Sequence, residues 1–148
     1  DRLPQPVLVD FGSASPIGRR RNLTHTPHYA PPEVIRAAAD PQNRDLRAPE
    51  MLPPDKADIW ALGAIYYELL TGVPLITATT YGDAVEAVLS RKWHPNVGRR
   101  ADVHPSLARL VERMLQVNPY DRPTVDDIIV DVEERIATIA PPRIPTLS

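Results

Sequence analysis

No cysteine occurs among the 148 residues. Disulfides and thiolate metal sites are thereby excluded, and the composition is compatible with a reducing compartment; the expected location is cytoplasmic. No charge of one sign dominates. Seventeen Lys and Arg stand against 19 Asp and Glu, a formal net charge of −2, which provides no global footprint for nucleic acid or an anionic membrane. No apolar run is long enough to span a bilayer, and the first residues do not have the build of a secretory leader. The four histidines, His25, His28, His94 and His104, lack metal-ligand spacing and read as loop or surface residues. No internal repeat is present. What remains, 43% hydrophobic and 24% charged residues, is the composition of one globular domain or part of one. Residues 1–6 contain no Met, and the apolar run Val7-Leu8-Val9 begins almost at once. The chain is therefore expected to be a piece of a longer protein.

Proline is the residue the chain has in abundance, 18 in all, but none falls in 55–73, 75–94, 106–118 or 124–140. Its ring and missing N–H exclude it from helix interiors, so these gaps outline four helices. The one at 57–71 is the centre of the fold. Only Asp58 and Glu68 are charged in it, and a helix apolar nearly all round is a buried one. Asp55 is its expected N-cap and Gly72 its left-handed stop. Asp58, in the first turn of a buried helix, would have to be hydrogen-bonded there.

The other elements follow from pattern. Pro6 to Val9 reads as a short strand. Residues 13–32 form a polar loop with the densest positive charge, Arg19-Arg20-Arg21, a solvated loop or an anion contact. Glu33 to Ala39 make two helical turns. Thr80 or Asp83 caps a helix through Val88 that ends near Lys92. Ser106 caps the next, whose Leu107, Leu110, Val111, Met114 and Leu115 recur at i, i+3, i+4, i+7 and i+8, as one buried face requires. It runs to Asn118-Pro119. Thr124 and Asp127 form a capping-box-like pair on the last helix, whose expected inner face is Val125, Ile128, Ile129, Val132, Ile136 and Ile139. Residues 140–148 are expected to be a flexible tail. The expected fold class is therefore mainly α-helical, with a short β segment at the N-terminal end.

Four motifs stand in order along this frame: Asp10-Phe11-Gly12 after the strand, Thr26-Pro27-His28-Tyr29-Ala30-Pro31-Pro32-Glu33, Asp58-Ile59-Trp60-Ala61-Leu62-Gly63 opening the core helix, and Asn118-Pro119-Tyr120-Asp121-Arg122-Pro123-Thr124. Together they resemble the C-terminal lobe of a eukaryotic-type protein kinase, from the Asp-Phe-Gly motif onward. The likeness covers about residues 6–139, and its general look is similar to the Numb-associated kinase group. It implies a protein kinase-like fold, C-terminal lobe only: a partial domain over 1–139, with an activation segment at 10–33, the core helix at 57–71 and terminal helices at 106–139.

The resemblance also implies roles. Asp10 is the Mg²⁺ ligand at bound ATP, with Phe11 packed under it and Gly12 giving backbone freedom. Thr26 matches the threonine that, in serine/threonine kinases, hydrogen-bonds the catalytic aspartate and lysine, and Tyr29 stands beside the pocket for the substrate residue after the acceptor; both favour Ser/Thr over Tyr specificity. Glu33 pairs with buried Arg122, Asp58 caps the catalytic-loop backbone, and Trp60 is structural. Thr24, then Ser15, is the candidate activating phosphosite. His25 and Pro31 depart from the family's usual Gly and Ala. Ala48-Pro49-Glu50 is a second, more literal copy of the motif that closes the activation segment. Glu33 is preferred because Thr26 and Tyr29 stand correctly ahead of it.

The implied activity is transfer of the ATP γ-phosphate to Ser or Thr of a protein substrate. The Gly-rich loop, the strand lysine and its glutamate partner, and the catalytic loop with its His-Arg-Asp motif are not within these residues. The catalytic base is thus missing, and the missing N-lobe and catalytic loop are partners the chain requires. Alone it is expected to be inactive, with apolar surface left uncovered. The alternatives are a non-catalytic, pseudokinase-like or truncated binding module, and an unrelated helical interaction domain without a Glu33–Arg122 contact.

Overall fold

A computed structural model of the chain describes residues 6–14, 16, 26–40, 42, 53, 55–90, 93, 97 and 103–139. Five α-helices carry them: α1 (Pro32–Ala39), α2 (Lys56–Thr71), α3 (Tyr81–Leu89), α4 (Pro105–Met114) and α5 (Val125–Ile139). The four proline-free windows each hold one helix. α1 escapes that rule, and α4 starts one residue early, because Pro32 and Pro105 occupy the first helical turn, where a missing N–H costs nothing.

α2 is the centre. Trp60 and Ala64 enter the larger core, with Val34, Ile35, Val88, Val111 and Leu115. Ile59 enters a second cluster with Leu110, Met114 and Ile128. α4 lies along α2, and the fit is close. A Cβ on Gly63 would stand 2.9 Å from the Cβ of Met114 and 3.2 Å from Leu115. α1 packs on α3. Gly72 ends α2 at φ 74°, a left-handed turn that favours glycine, with its N–H on the Glu68 carbonyl at 2.8 Å.

Several expectations need correction. The strand at Pro6–Val9 does not form, and no strand occurs among the described residues. A strand needs a ladder partner, and Val7, Leu8 and Val9 are at least 77% exposed. α2 is not buried all round. Asp58, Ile65 and Leu69 share an exposed stripe, Leu69 at 74%. Asp58 is thus solvated rather than a buried carboxylate in need of partners. Asp55 caps α2 through its carbonyl, which accepts from Asp58 N and Ile59 N at 3.1 Å, and not through its side chain.

α3 stops at Leu89, short of Lys92. α4 is capped by His104, whose Nδ1 accepts from Ser106 N at 3.3 Å; Ser106 lies inside the first turn. α4 also ends at Met114, before Asn118. The carbonyls of Gln116 and Val117, which a longer helix would leave facing onward, are taken by Arg122 instead. The inner face of α5 is narrower than its periodicity suggests. Ile128 is buried and Val132 half-buried, whereas Val125 and Ile129 are about half exposed; the side chains of Ile136 and Ile139 lie outside the described residues. So do Ser15, Arg19 to Arg21, Thr24, His25, Ala48 to Glu50 and the 140–148 tail.

The capping pairs at Thr80 and Thr124 are present. Thr80 Oγ1 accepts from Asp83 N at 3.1 Å. At α5, Asp127 Oδ2 accepts from Thr124 N and Oγ1 at 2.8 and 2.7 Å, and Thr124 Oγ1 accepts from Asp127 N at 3.1 Å. Those bonds hold the Asp127 carboxyl below its ordinary pKa, the backbone N–H of Thr124 first and its hydroxyl second.

Candidate functional site

The motif residues fall into two groups. At the N-terminal end, Phe11–Ser13 form one 3-10 turn, closed by Ala14 N on the Phe11 carbonyl at 3.0 Å. Asp10, just before it, has φ 64° and ψ 67°. It is the one non-glycine with positive φ among the described residues. Aspartate tolerates that region better than most residues, and the turn here requires it. Its carboxylate is exposed. Phe11 is 68% exposed, so it does not pack under Asp10 as expected. The apolar wall it would need is not among the described residues.

Asp10 is a hard oxygen donor, and a single carboxylate together with phosphate oxygens is a common way to hold Mg²⁺. Its exposed carboxylate has that chemistry. No group of three or more His, Asp or Glu suited to a metal occurs among the described residues.

The second group is built where α1 meets α2 and the corner before α5. The stretch Thr26 to Pro31 enters it through a turn, with Tyr29 N on the Thr26 carbonyl at 3.0 Å. Thr26 is exposed; Tyr29 is half-buried. Tyr29 donates its hydroxyl to Glu68 Oε2 at 3.1 Å. That bond, then burial, then the Glu68 charge, raises the Tyr29 pKa above its usual value. His28 Nε2 bonds the Ala78 carbonyl at 2.8 Å. Both sides of the turn are thus tied to α2 or to the segment just after it.

Glu33, in the first turn of α1, meets Arg122 in a two-pronged pair. Nη1 donates to Oε1 at 2.7 Å and Nη2 to Oε2 at 2.8 Å. The Arg122 side chain is fully buried and that of Glu33 nearly so. Arg122 uses its remaining donors on carbonyls: Nε on Gln116 at 2.8 Å, Nη1 on Lys56 at 2.7 Å and Nη2 on Val117 at 3.3 Å. Its guanidinium carbon lies 4.9 Å from the centroid of the Trp60 ring, close enough for a cation–π attraction. Trp60 in turn meets Trp93 edge to face, centroids 4.7 Å apart.

The structure therefore brings together Glu33, Trp60 and Arg122, while Tyr29 bonds Glu68 further along α2. Asp10 to Gly12 and Asp58 stand apart from them on exposed surface. Two participants escape sequence reasoning. Glu68 left a signal: it was the second carboxylate of an apolar helix and had no assigned partner. Lys56 left none, since a lysine beside Asp55 at a helix start reads as solvated.

Residues 4–132 match the protein kinase domain family. Among curated relatives, the chain is 28% identical over 143 residues to the serine/threonine-protein kinase PLK1 of Xenopus laevis, covering 94% of this chain and 21% of that protein. It is 32% identical over 134 residues to calcium-dependent protein kinase 9 of Oryza sativa subsp. japonica, covering 84% and 20%. It is 28% identical over 124 residues to the serine/threonine-protein kinase atg1 of Schizosaccharomyces pombe, covering 82% and 13%. These kinases differ from one another yet match about equally well, so the likeness speaks for the family and for no one group within it. The chain spans about a fifth of the length of the first of these relatives. On the match over most of its length, the chain belongs to the protein kinase domain family.

Proposed function

We propose that this chain is the substrate-side half of a serine/threonine kinase catalytic domain. The reaction is attack of a protein Ser or Thr hydroxyl on the γ-phosphorus of ATP. The bond from that phosphorus to its bridging oxygen breaks, ADP leaves, and the hydroxyl proton passes to a base carried outside these residues. The observation that carries this reading is the buried Glu33–Arg122 pair, which anchors the end of the Thr26–Glu33 stretch to the base of the domain. A loop that must present a protein substrate in one geometry needs such an anchor, because phosphoryl transfer depends on positioning.

In this reading Asp10 is the residue that would hold Mg²⁺ for ATP, with Phe11 and Gly12 shaping its turn; the ion would supply electrostatic stabilisation of the transferred group. Thr26 and Tyr29 line the path of the substrate protein. Glu33 closes the activation segment, which runs from Asp10 to Glu33, and Trp60 supports the pair. Asp58, exposed here, orders a catalytic loop carried outside these residues. Thr24, or Ser15, takes the activating phosphate. These 148 residues contain no His-Arg-Asp motif, so without the N-lobe and catalytic loop they transfer no phosphate.

The test uses the transcript upstream of Asp1 and the protein it encodes. An open frame with a phosphate-binding lysine and His-Arg-Asp, and radiolabel transfer from γ-labelled ATP to a protein Ser or Thr that Asp10→Asn abolishes, is the expected result. No transfer by the longer protein would overturn the reading in favour of a binding module. Stoichiometric turnover by the 148-residue chain alone would overturn its inactivity.

A further inference from the structure

Lys56 is the first residue of α2 and is buried, 9% exposed. Its Nζ donates to the carbonyls of Arg122 and Pro123 at 2.8 and 2.9 Å. Arg122 Nη1 donates back to the Lys56 carbonyl at 2.7 Å. Two residues 66 positions apart thus exchange hydrogen bonds in both directions. The charge balance is unusual. Of the two buried cations, Lys56 and Arg122, only Arg122 contacts a carboxylate among the described residues, that of Glu33. The Asp127 carboxylate lies close enough for Lys56 to help lower its pKa.

A buried ammonium held only by carbonyls is costly. An apolar side chain of similar length would fill the space without desolvating a charge. What an apolar residue could not do is hold two carbonyls of the Arg122–Pro123 corner in place. We propose that Lys56 is a positioning residue: it fixes the backbone of Arg122, so that the guanidinium fork meets Glu33 and holds the Thr26–Pro31 turn. Its consequence for phosphoryl transfer rests on the kinase reading above. Its consequence for Arg122 does not.

Two arms test this. In the longer protein, exchange of the Arg122 Nε–H is followed by ¹⁵N NMR for wild type, Lys56→Met and Lys56→Gln, beside the backbone amides of Ala64 and Val111 in the core. Lys56→Met is expected to speed Arg122 Nε–H exchange by about tenfold or more, the size of one lost charge-assisted bond, with the core amides unchanged. Lys56→Gln, which keeps an uncharged N–H₂ donor group on a shorter side chain, is expected to restore part of the protection. In the longer kinase, Lys56→Met is expected to raise KM for the protein substrate severalfold and leave KM for ATP unchanged.

Unchanged Arg122 exchange in Lys56→Met overturns the proposal. So does acceleration shared equally by the core amides, or failure of both variants to fold, since either makes Lys56 a general stabiliser. If the longer wild-type protein transfers no phosphate, the kinase reading fails while the exchange arm still decides the role of Lys56.

Discussion

Glu33 and Arg122 lie 89 residues apart in sequence and form a two-pronged ion pair of 2.7 and 2.8 Å in the interior. Everything that packs between them, α1 to α4, is closed into one unit by that contact. Removing either partner strands a buried charge, at a typical cost of about 3–5 kcal/mol. Glu33→Gln and Arg122→Met are each expected to lower the unfolding free energy from urea denaturation by that order. The double variant is expected to lose less than their sum, because the second change strands nothing further.

The Tyr29–Glu68 bond has a pH signature. The folded-state pKa of Tyr29 is raised by Glu68, so its contribution is fully present below the unfolded tyrosine pKa. It is lost as pH rises from there through the higher folded value. Ultraviolet titration of the five tyrosines is expected to show one ionising late, and Glu68→Gln to bring it back toward the rest. Tyr29→Phe is expected to cost about 1 kcal/mol.

The α5 cap behaves oppositely. The Asp127 pKa is lowered by the Thr124 N–H and hydroxyl. Its contribution is present above the unfolded carboxylate pKa and is lost as pH falls through the depressed folded value. Thr124→Ala is expected to destabilise by about 0.5–2 kcal/mol, the range for a lost N-cap. Asp127→Asn is expected to flatten the acid limb of the stability–pH curve, followed by circular dichroism.

Gly63→Ala pits two effects against each other. Ala gains about 1 kcal/mol of helix propensity. The new methyl meets Met114 Cβ at 2.9 Å, and overpacking of that kind costs about 1–3 kcal/mol. The neighbouring atom is a Cβ and cannot swing away. A net loss of up to about 2 kcal/mol is expected in chemical denaturation.

Much of this arrangement was legible in the sequence because the signals are local. Proline gaps mark helices through backbone chemistry. Gly72 marks a left-handed stop, and Thr124 with Asp127 a cap. The family motifs carried the Glu33–Arg122 contact, which no periodicity could have given. Two of the errors share a physical source: burial depends on what packs against an element, which local pattern does not show. Val7 to Val9 have strand composition but no ladder partner among the described residues. Asp58, Ile65 and Leu69 lie on a helix of interior composition yet face solvent. Lys56 was invisible because its partners are carbonyls 66 and 67 residues away, and carbonyls carry no sequence signature.

Gly63 has a consequence beyond packing. With no room for a Cβ at Met114, α2 can present only one azimuth to α4. Trp60 is thereby set beneath Arg122, and Glu68, eight residues on, beside Tyr29. Eight residues of helix measure about 12 Å, so α2 serves as a gauge block that sets the spacing of Glu33 and Tyr29 above it. Inserting or deleting one residue between Trp60 and Glu68 would turn one contact about 100° away from the other, leaving a helix intact in composition but out of phase with the segment it measures.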